Sequence, residues 1–417
     1  MISSNGPASR WWPLWGFACV VALAGCGASS QGGLSGTINI GFIGPLTGNF
    51  IQAGASLSEG AELAANIINL NGGVLGHKFQ IDEADDGGDP VDAVTALRKM
   101  LALDNVSAVT GLTGLDYQDT LPILNSSHMV SMTHIGDPAI DHLIMPYSYS
   151  TGPSDALVGT SMAYYASTQG YKRIALVFDA LQSSQTLVPS VVHAAQVLGL
   201  QVVVNEALAN GAPSYSSQVQ QVLAAHPDAI LSQLNPPNAG PFFQEFQNAG
   251  GATIPIVGSD ITAEAAWQSA VGPVIAKDTV SMQPAAFGNA PSVPYFMTNF
   301  ERLYHTTPQF LSSLFYDGVN VSALAMIEAN SSDPTVYYKD VVDVTTSGSG
   351  HTDVYNFAQG AKLLKAGKKI KYVGVGSPMT FNMYHRVTTD FDAVRDNGSG
   401  GTTPVTTIPA DKLLPLL

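Results

Sequence analysis

Cysteine is almost absent from this 417-residue chain. The two cysteines, Cys19 and Cys26, both lie near the N-terminus, and none follows Cys26. The rest of the chain therefore has no disulfide, no thiol chemistry and no thiolate metal site.

Charged side chains are also scarce. They make up 12% of the residues, and 17 basic residues stand against 32 acidic ones, for a net charge of −15. A chain this acidic has no electrostatic footprint for nucleic acid and is repelled by anionic lipid headgroups. We therefore expect no nucleic-acid partner, and we expect any attachment to a membrane to be covalent.

The common catalytic signatures are missing as well. The sequence has no G-x-S-x-G elbow, no H-E-x-x-H and no P-loop. His128, His134 and His142 are close in the chain, but their spacing matches no usual pattern of metal ligands. These absences predict a protein that is not an enzyme and that uses neither a cofactor nor a metal.

The N-terminus does carry a recognisable signal. Arg10 precedes a run from Trp11 to Ala24 without any charged residue, and this run is shorter than the roughly 20 residues that span a bilayer core. A basic residue, a short apolar stretch and small residues predict a signal peptide over residues 1–25. Its removal takes away Arg10 and no acidic residue, so the net charge becomes −16.

The end of that signal, Leu23-Ala24-Gly25-Cys26, resembles the lipobox of bacterial lipoproteins. The resemblance implies that Cys26 becomes the lipidated first residue of the mature chain. The Ser- and Gly-rich residues 26–36 are then a flexible tether. The alternative is an ordinary signal peptide in which Cys26 has no role.

Beyond the tether, strand and helix patterns alternate. Ile38, Ile40 and Phe42 alternate as in a strand, and the apolar residues from Leu57 to Ile68 recur at helical spacing. The alternation restarts after Gly152-Pro153, gives way to a mainly helical section over about 290–366, and ends in strands. The helical section contains a run, Leu314–Glu328, that is apolar enough for a buried helix. Such order predicts parallel sheets covered by helices, and the length predicts two domains.

Four motifs occur in a fixed order along the chain. They are Gly44-Pro45-Leu46-Thr47-Gly48, Asn71-Gly72-Gly73-Val74-Leu75-Gly76-His77, Asp85-Asp86-Gly87-Gly88-Asp89-Pro90 and Phe315-Tyr316-Asp317-Gly318-Val319. Together they resemble the type I periplasmic binding proteins, in the leucine/isoleucine/valine-binding branch that serves branched-chain amino acid ABC transporters. The resemblance extends from residue 37 to about residue 395.

This resemblance implies an α/β fold of two doubly wound parallel-sheet lobes joined by three crossover strands. The crossovers are expected near 147–154, 282–288 and 384–387. Lobe 1 is then 37–150 plus 285–385, and lobe 2 is 151–284 plus 386–417.

The resemblance also implies a function. It predicts a monomeric solute-binding lipoprotein on the extracytoplasmic face of the cell membrane, which traps a small-molecule ligand between the lobes and delivers it to an ABC permease. Two alternatives remain open, namely a ligand sensor of the same fold that signals to a membrane partner and a hydrolase-like enzyme that has drifted onto the fold.

In open α/β sheets, ligands bind beyond the carboxyl ends of the strands. In lobe 1 that rule selects the loops 48–54, 112–117 and 133–137. The candidate ligand-binding residues there are Gln52, Thr113, Gly114, Leu115, Asp116, Thr133, Ile135 and Gly136. In relatives, the second loop holds the ligand's carboxylate with serine hydroxyls and with N–H groups of a helix N-terminus. The serine pair falls here at Leu115-Asp116, and Asp116 is expected to cap the helix and occupy those donors.

In lobe 2 the rule selects the loops 179–184, 233–238 and 258–262. Tyrosines of the family are replaced here by Ser183 and Asn235. Asp260 aligns with the acidic residue that pairs with the ligand's ammonium group, although it is equally suited to capping a helix over 262–269. If Asp116 and Asp260 face one another across the cleft, their repulsion favours a ligand that bears an ammonium or amide group.

Overall fold

The computed structural model describes residues 36–114, 116–285, 290–398 and 401–417. The predicted signal peptide, Cys26, residues 27–35 of the predicted tether and the candidate site residue Leu115 lie outside these ranges.

The strands of the described residues are β1 (Thr37–Gly44), β2 (Lys78–Asp85), β3 (Val106–Thr110), β4 (Ser131–Thr133), β5 (Ser148–Ser150), β6 (Arg173–Asp179), β7 (Gln201–Leu208), β8 (Ala229–Gln233), β9 (Ile256–Gly258), β10 (Thr279–Pro284), β11 (Thr352–Val354), β12 (Ile370–Tyr372), β13 (Phe391–Asp396) and β14 (Thr402–Ile408).

The α-helices are α1 (Ile51–Leu70), α2 (Pro90–Lys99), α3 (Tyr117–Ser126), α4 (Asp155–Thr168), α5 (Gln182–Gln185), α6 (Val188–Leu198), α7 (Ser216–Ala224), α8 (Pro236–Asn248), α9 (Ala265–Val271), α10 (Pro273–Ala276), α11 (Val293–Tyr304), α12 (Phe310–Ala329), α13 (Pro334–Tyr337), α14 (Asp340–Asp343), α15 (Phe357–Lys365) and α16 (Ala410–Leu413). Short 3-10 turns also occur, among them Pro138–Ile140 and Asp260–Ala263, and a π turn, Met100–Asp104, extends α2.

Two large sheets organise the chain. Lobe 1 is built on a five-stranded sheet of order β2-β1-β3-β4-β5, in which all the strands are parallel. Lobe 2 is built on a seven-stranded sheet of order β14-β13-β10-β9-β8-β6-β7, in which β13 is antiparallel to both of its neighbours, β10 and the edge strand β14, and the other pairs are parallel. The order β2-β1-β3-β4-β5 recurs as β7-β6-β8-β9-β10. The predicted fold of two doubly wound parallel-sheet lobes is thereby confirmed.

The core of lobe 1 depends on close contact between α1 and α12. A Cβ atom on Gly60 would lie 2.0 Å from the carbonyl oxygen of Ser312, so glycine is required there. One turn earlier, the hydroxyls of Ser56 and Ser312 are 2.7 Å apart. By length and composition α12 could cross a membrane, but 89% of its apolar window is buried inside the protein. It is the buried helix that the sequence predicts.

The acidic residue of the F-Y-D-G motif holds a loop against α12. Asp317 is fully buried and accepts hydrogen bonds from the Tyr372 hydroxyl at 2.8 Å and from the N–H groups of Val375 and Gly376 at 2.7 and 2.9 Å. Burial raises the pKa of Asp317 to about 7 even though these donors lower it. The motif therefore has a structural role in lobe 1.

The chain passes from lobe 1 to lobe 2 between β5 and α4 and returns to lobe 1 after β10, where α11 packs against α1. It enters lobe 2 again between Val387 and β13. The first and third passages run side by side, because Ser150 and Arg386 form a parallel β-bridge.

Candidate functional site

The loops that follow the parallel strands lie where the sequence places them. β1, β3 and β4 end at Gly44, Thr110 and Thr133 in lobe 1, and β6, β8 and β9 end at Asp179, Gln233 and Gly258 in lobe 2. Because the carboxyl ends of parallel strands share one edge of a sheet, each set of three loops forms one face of its lobe.

The loop after β1 is held by Asp85, the last residue of β2. Its Oδ1 accepts from the N–H groups of Leu46 and Thr47 at 2.9 and 3.1 Å, and its Oδ2 accepts from the Thr47 hydroxyl at 2.6 Å. The Thr47 hydroxyl is the main reason that the pKa of Asp85 is lowered. Gln52, a candidate in this loop, is exposed in the first turn of α1.

The loop after β3 contains Thr113, which is half-buried, and Gly114, which is exposed. Asp116 precedes α3 as predicted. The prediction that it caps this helix is wrong, because its side chain accepts no hydrogen bond from the N–H groups of the first turn. Its Oδ1 accepts instead from the N–H of Thr113 at 3.2 Å. Burial, together with the nearby carboxylate of Asp86, raises the pKa of Asp116 to about 7.

The loop after β4 binds the neighbouring passage of the chain. The hydroxyl of Thr133 donates to the carbonyl of Tyr149 at 3.2 Å, and the N–H of Ile135 lies 3.4 Å from the hydroxyl of Ser150. The carbonyl of Gly136 accepts from the N–H of Asp155 at 2.7 Å. A Cβ on Gly136 would lie 2.1 Å from Oδ1 of Asp155, so this glycine permits the close approach of α4.

Two lobe 2 candidates differ in their surroundings. Ser183 is exposed, and its carbonyl lies 3.3 Å from Nε2 of Gln233. Asn235 turns inward, and both its backbone N–H and its side-chain amide donate to Oδ2 of Asp179, at 2.6 and 2.7 Å. The side chain of Asn235 thus holds its own loop to the end of β6.

Asp260 does not cap a helix. It begins the 3-10 turn Asp260–Ala263, for which Ser259 is the N-cap, whereas α9 starts later, with Glu264 at its N-cap. The predicted helix over 262–269 begins later than expected, at Ala265, because Thr262 donates back to the carbonyl of Ser259 and closes this tight turn first. Asp260 is half-buried, and desolvation raises its pKa to about 6.

A second aspartate in this region was not predicted. Asp155 is the first residue of α4, and its Oδ2 accepts from the Thr186 hydroxyl at 2.6 Å. Burial, and then repulsion from Asp260, Asp137 and Asp141, raises the pKa of Asp155 to about 7. Its only signal in the sequence was an acidic residue after Ser154, which is typical of an ordinary helix start.

Glu264 completes the group. Burial and the neighbouring Asp260 raise its pKa to about 7. We call Asp155, Asp260 and Glu264 the acidic group of lobe 2. Carboxylates that are desolvated and close to one another favour a cation or a hydrogen-bond donor between them. The acidic neighbour of Asp116 is Asp86. That Asp116 and Asp260 face one another across the cleft stays a prediction.

Comparison with known proteins agrees with this architecture. A family model described as periplasmic binding protein matches residues 37–397. The Leu/Ile/Val-binding protein BraC3 of Rhizobium johnstonii is 27% identical over 228 residues, which cover 54% of this chain and 61% of that protein. The chain thus aligns with about three fifths of that relative's length.

Solved structures share the fold at lower identity. The leucine-binding protein LivK of Thermotoga maritima has a TM-score of 0.74 and 18% identity, with 90% of this chain and 100% of that chain covered. A solute-binding protein of Rhodopseudomonas palustris in complex with 3,4-dihydroxybenzoic acid has a TM-score of 0.72 and 15% identity, with 90% and 98% covered. The match over residues 37–397, the repeated strand order and the strand-end loops show together that this chain belongs to the periplasmic binding protein family, with the type I fold.

Proposed function

We propose that this protein is an extracytoplasmic solute-binding lipoprotein of an ABC uptake system. It binds an amino acid, or a related small polar solute with an ammonium or amide group, between the two lobes and delivers it to the permease. The observation that carries the proposal is the acidic group of lobe 2, which lies at the strand-end face where solutes of open α/β sheets bind.

The chemistry of that group favours a cationic or donor-rich solute. Desolvation raises the pKa of Asp155, Asp260 and Glu264, and repulsion from other carboxylates raises the pKa of Asp155 and Glu264 further. A solute ammonium group placed beside Asp260 would offset this repulsion and stabilise the ionised carboxylates. BraC3 is named for binding leucine, isoleucine and valine and LivK for binding leucine, and the α-ammonium group of these amino acids meets this requirement.

Binding is expected to close the lobes. We assign residues 37–150 and 285–385 to lobe 1 and residues 151–284 and 386–417 to lobe 2, so that three passages of the chain serve as the hinge. Small-angle scattering should show a smaller radius of gyration with saturating solute. An unchanged profile under conditions of proven binding would contradict closure.

The test of solute class uses matched probes in calorimetry. Leucine and leucinamide keep the ammonium group, whereas 4-methylpentanoate keeps the leucine skeleton and carboxylate but lacks that group. We expect heat of binding with an ammonium-bearing probe and none with 4-methylpentanoate. Binding of 4-methylpentanoate alone would contradict the assignment of the acidic group as the ammonium site.

The anchor is tested separately, in cells. We expect the wild-type protein to fractionate with membranes and Cys26→Ser to be released as soluble, folded protein. The net charge of −16 after signal removal gives the body of the chain no other strong attraction to a bilayer. Retention of the variant on membranes would show that Cys26 is not the anchor.

A further inference from the structure

Two adjoining surface clefts of lobe 2 lie beside the C-terminal end of α4. Both are lined by Tyr165, Gln169 and Arg395, and the larger has a volume of about 480 Å³, within the roughly 300–1,000 Å³ that is usual for small-molecule sites. Arg395 pairs with Val280 near the start of β10, whereas the solute loops follow the ends of the parallel strands. The clefts are therefore at the opposite edge of the sheet from the solute loops.

The position of Arg395 follows from the alternation of side chains along β13. Successive side chains of a strand point to opposite faces of the sheet, so Arg395 shares a face with Phe391 and Ala393. Those two residues are buried in the core that α4 covers. The helix α4 ends at Thr168, and Arg395, beside that end, is exposed. A row of core positions thus finishes in a cation at the rim of the sheet.

The polar groups of Arg395 and Tyr165 are unused. Within the described residues the guanidinium of Arg395 makes no hydrogen bond and no ion pair, and no carbonyl at the end of α4 accepts from it. Tyr165 is only 4% exposed, and its hydroxyl has no hydrogen-bond partner in that part of the chain. Burial raises the pKa of Tyr165 and of Tyr171, and the nearby guanidinium lowers both in part. A buried phenol normally finds a partner, so these donors are available to a ligand.

The two clefts differ in charge. The smaller one includes the carboxylate of Asp278, which repels anions. The larger one has Lys412 of α16 as a second cation, and no acidic residue lines it. The chain as a whole carries 32 acidic residues and only 17 basic ones. Two cations without an acidic neighbour, beside a free phenol donor, favour an anion in the larger cleft.

The β14 side of the larger cleft is apolar. The register between β13 and β14 shifts by one residue, so Val405 has no partner across the ladder. Such bulges re-aim side chains, and Val405 lines the cleft together with Ile408 and Pro409. An inorganic anion would leave this apolar wall unused, whereas an organic anion would contact it.

We propose that the larger cleft is a second binding site, for a small organic carboxylate. Arg395 and Lys412 bind the carboxylate, to which a guanidinium offers two parallel N–H donors. The hydroxyl of Tyr165 donates a further hydrogen bond, and the apolar body of the ligand packs against Val405 and Pro409. The site is separate from the acidic group of lobe 2, so it stands whether or not that group binds an ammonium.

The experiment follows the fluorine resonance of 4-fluorobenzoate, which broadens on binding, with full-chain protein in a Cys26→Ser background. We expect 4-fluorobenzoate to bind, and 4-fluorobenzamide, which has the same ring without the charge, not to bind. Arg395→Met should weaken binding about tenfold or more, because a charge-assisted pair is lost. Lys412→Met and Tyr165→Phe should each weaken it a few-fold. Tyr165→Phe should melt no lower than wild type, since the lost hydroxyl has no partner.

The matched control is Arg98→Met, which removes an exposed arginine of α2 in lobe 1 and should leave binding unchanged. Equal affinity in wild type and Arg395→Met, or equal binding of the amide, would overturn the inference. So would displacement of the probe by saturating leucine, which would place the probe at the solute face. Inorganic phosphate should compete only at much higher concentration, and competition at equal concentration would contradict an organic carboxylate as the ligand. Calorimetry of leucine with Arg395→Met tests the proposed function separately.

Discussion

The two lobes repeat one strand order but differ in how they use their aspartates. In each lobe an aspartate at the end of a strand holds a neighbouring loop, Asp85 in lobe 1 and Asp179 in lobe 2. Asp85 is exposed and has a lowered pKa, whereas Asp179 is fully buried and has a raised one. Both nevertheless accept several hydrogen bonds from their own loops. A carboxylate near a strand end is therefore a candidate for ligand contact only when few hydrogen-bond donors from its own loops reach it. The acidic group of lobe 2 meets this condition.

The largest effect that this comparison predicts is on affinity. Asp260→Ala should weaken binding of an ammonium-bearing probe such as leucine by about 2–5 kcal/mol, or roughly 30- to several-thousand-fold, because the ammonium group loses its desolvated partner. Thermal stability at neutral pH should not fall, because the change removes a desolvated carboxylate. Calorimetry on Asp260→Ala, with Asp278→Ala at an exposed lobe 2 aspartate as the control, measures this. An unaltered affinity would remove Asp260 from the site.

The second effect is on stability and distinguishes the two loop-holding aspartates. Asp179→Ala should lower the free energy of unfolding by about 1–3 kcal/mol, because it leaves buried amide donors of Asn235 and Asn238 unpaired. Asp85→Ala should cost less, since water can replace an exposed carboxylate. Urea unfolding of the two variants gives the comparison, and an equal loss in both would show that burial does not separate them.

The third effect is the pH dependence of the acidic group. The folded pKa of Asp260, about 6, lies above its unfolded value, so its ionised form disfavours the fold and stability falls as pH rises through about 4 to 6. Asp260→Asn should therefore be more stable than wild type at pH 7.5 and equal to it near pH 4.

Wild-type affinity for leucine should fall about tenfold from pH 8 to 5 as the carboxyl of Asp260 gains a proton. Melting curves and calorimetry across this range test both signs.

The smallest effect concerns lobe 1. Asp116→Ser restores the residue type of the family and removes a buried carboxylate that lies beside Asp86 and accepts from the N–H of Thr113. We expect a few-fold gain in affinity for a plain α-amino acid, whose carboxylate that loop would then accept. If calorimetry with leucine shows no gain in Asp116→Ser, the loop after β3 is not the carboxylate site.

Local patterns predicted much of this fold. The sequence predicted the alternation of strands and helices and the buried helix within Phe310–Ala329, because both depend on periodicity. It also predicted the loops after the strands, because a general rule for parallel sheets selects them. The errors arose where distant contacts override local chemistry. Asp116 and Asp260 have the residue type and position of helix caps, but the first binds Thr113 and the second begins a 3-10 turn.

The residues that sequence reasoning missed share the same cause. Asp155 became a candidate only because Gly136, Thr186 and Asp260 surround it, and these residues come from three different parts of the chain. The guanidinium of Arg386 is buried, with no hydrogen-bond partner among the described residues, where the third passage of the chain lies beside the first. No pattern within one segment contains such information.

The contact between Gly60 and Ser312 also fixes an order of folding. One face of the lobe 1 sheet is covered by α1 together with α12, whose residues are synthesised long after β1–β5. Strands β6–β10 of lobe 2 are complete well before that helix exists. Lobe 1 therefore begins first but cannot close its core until strands β6–β10 of lobe 2 have been made, and its apolar sheet face stays open to wrong partners until then. A nascent chain of this architecture has most need of a chaperone while lobe 2 is being made.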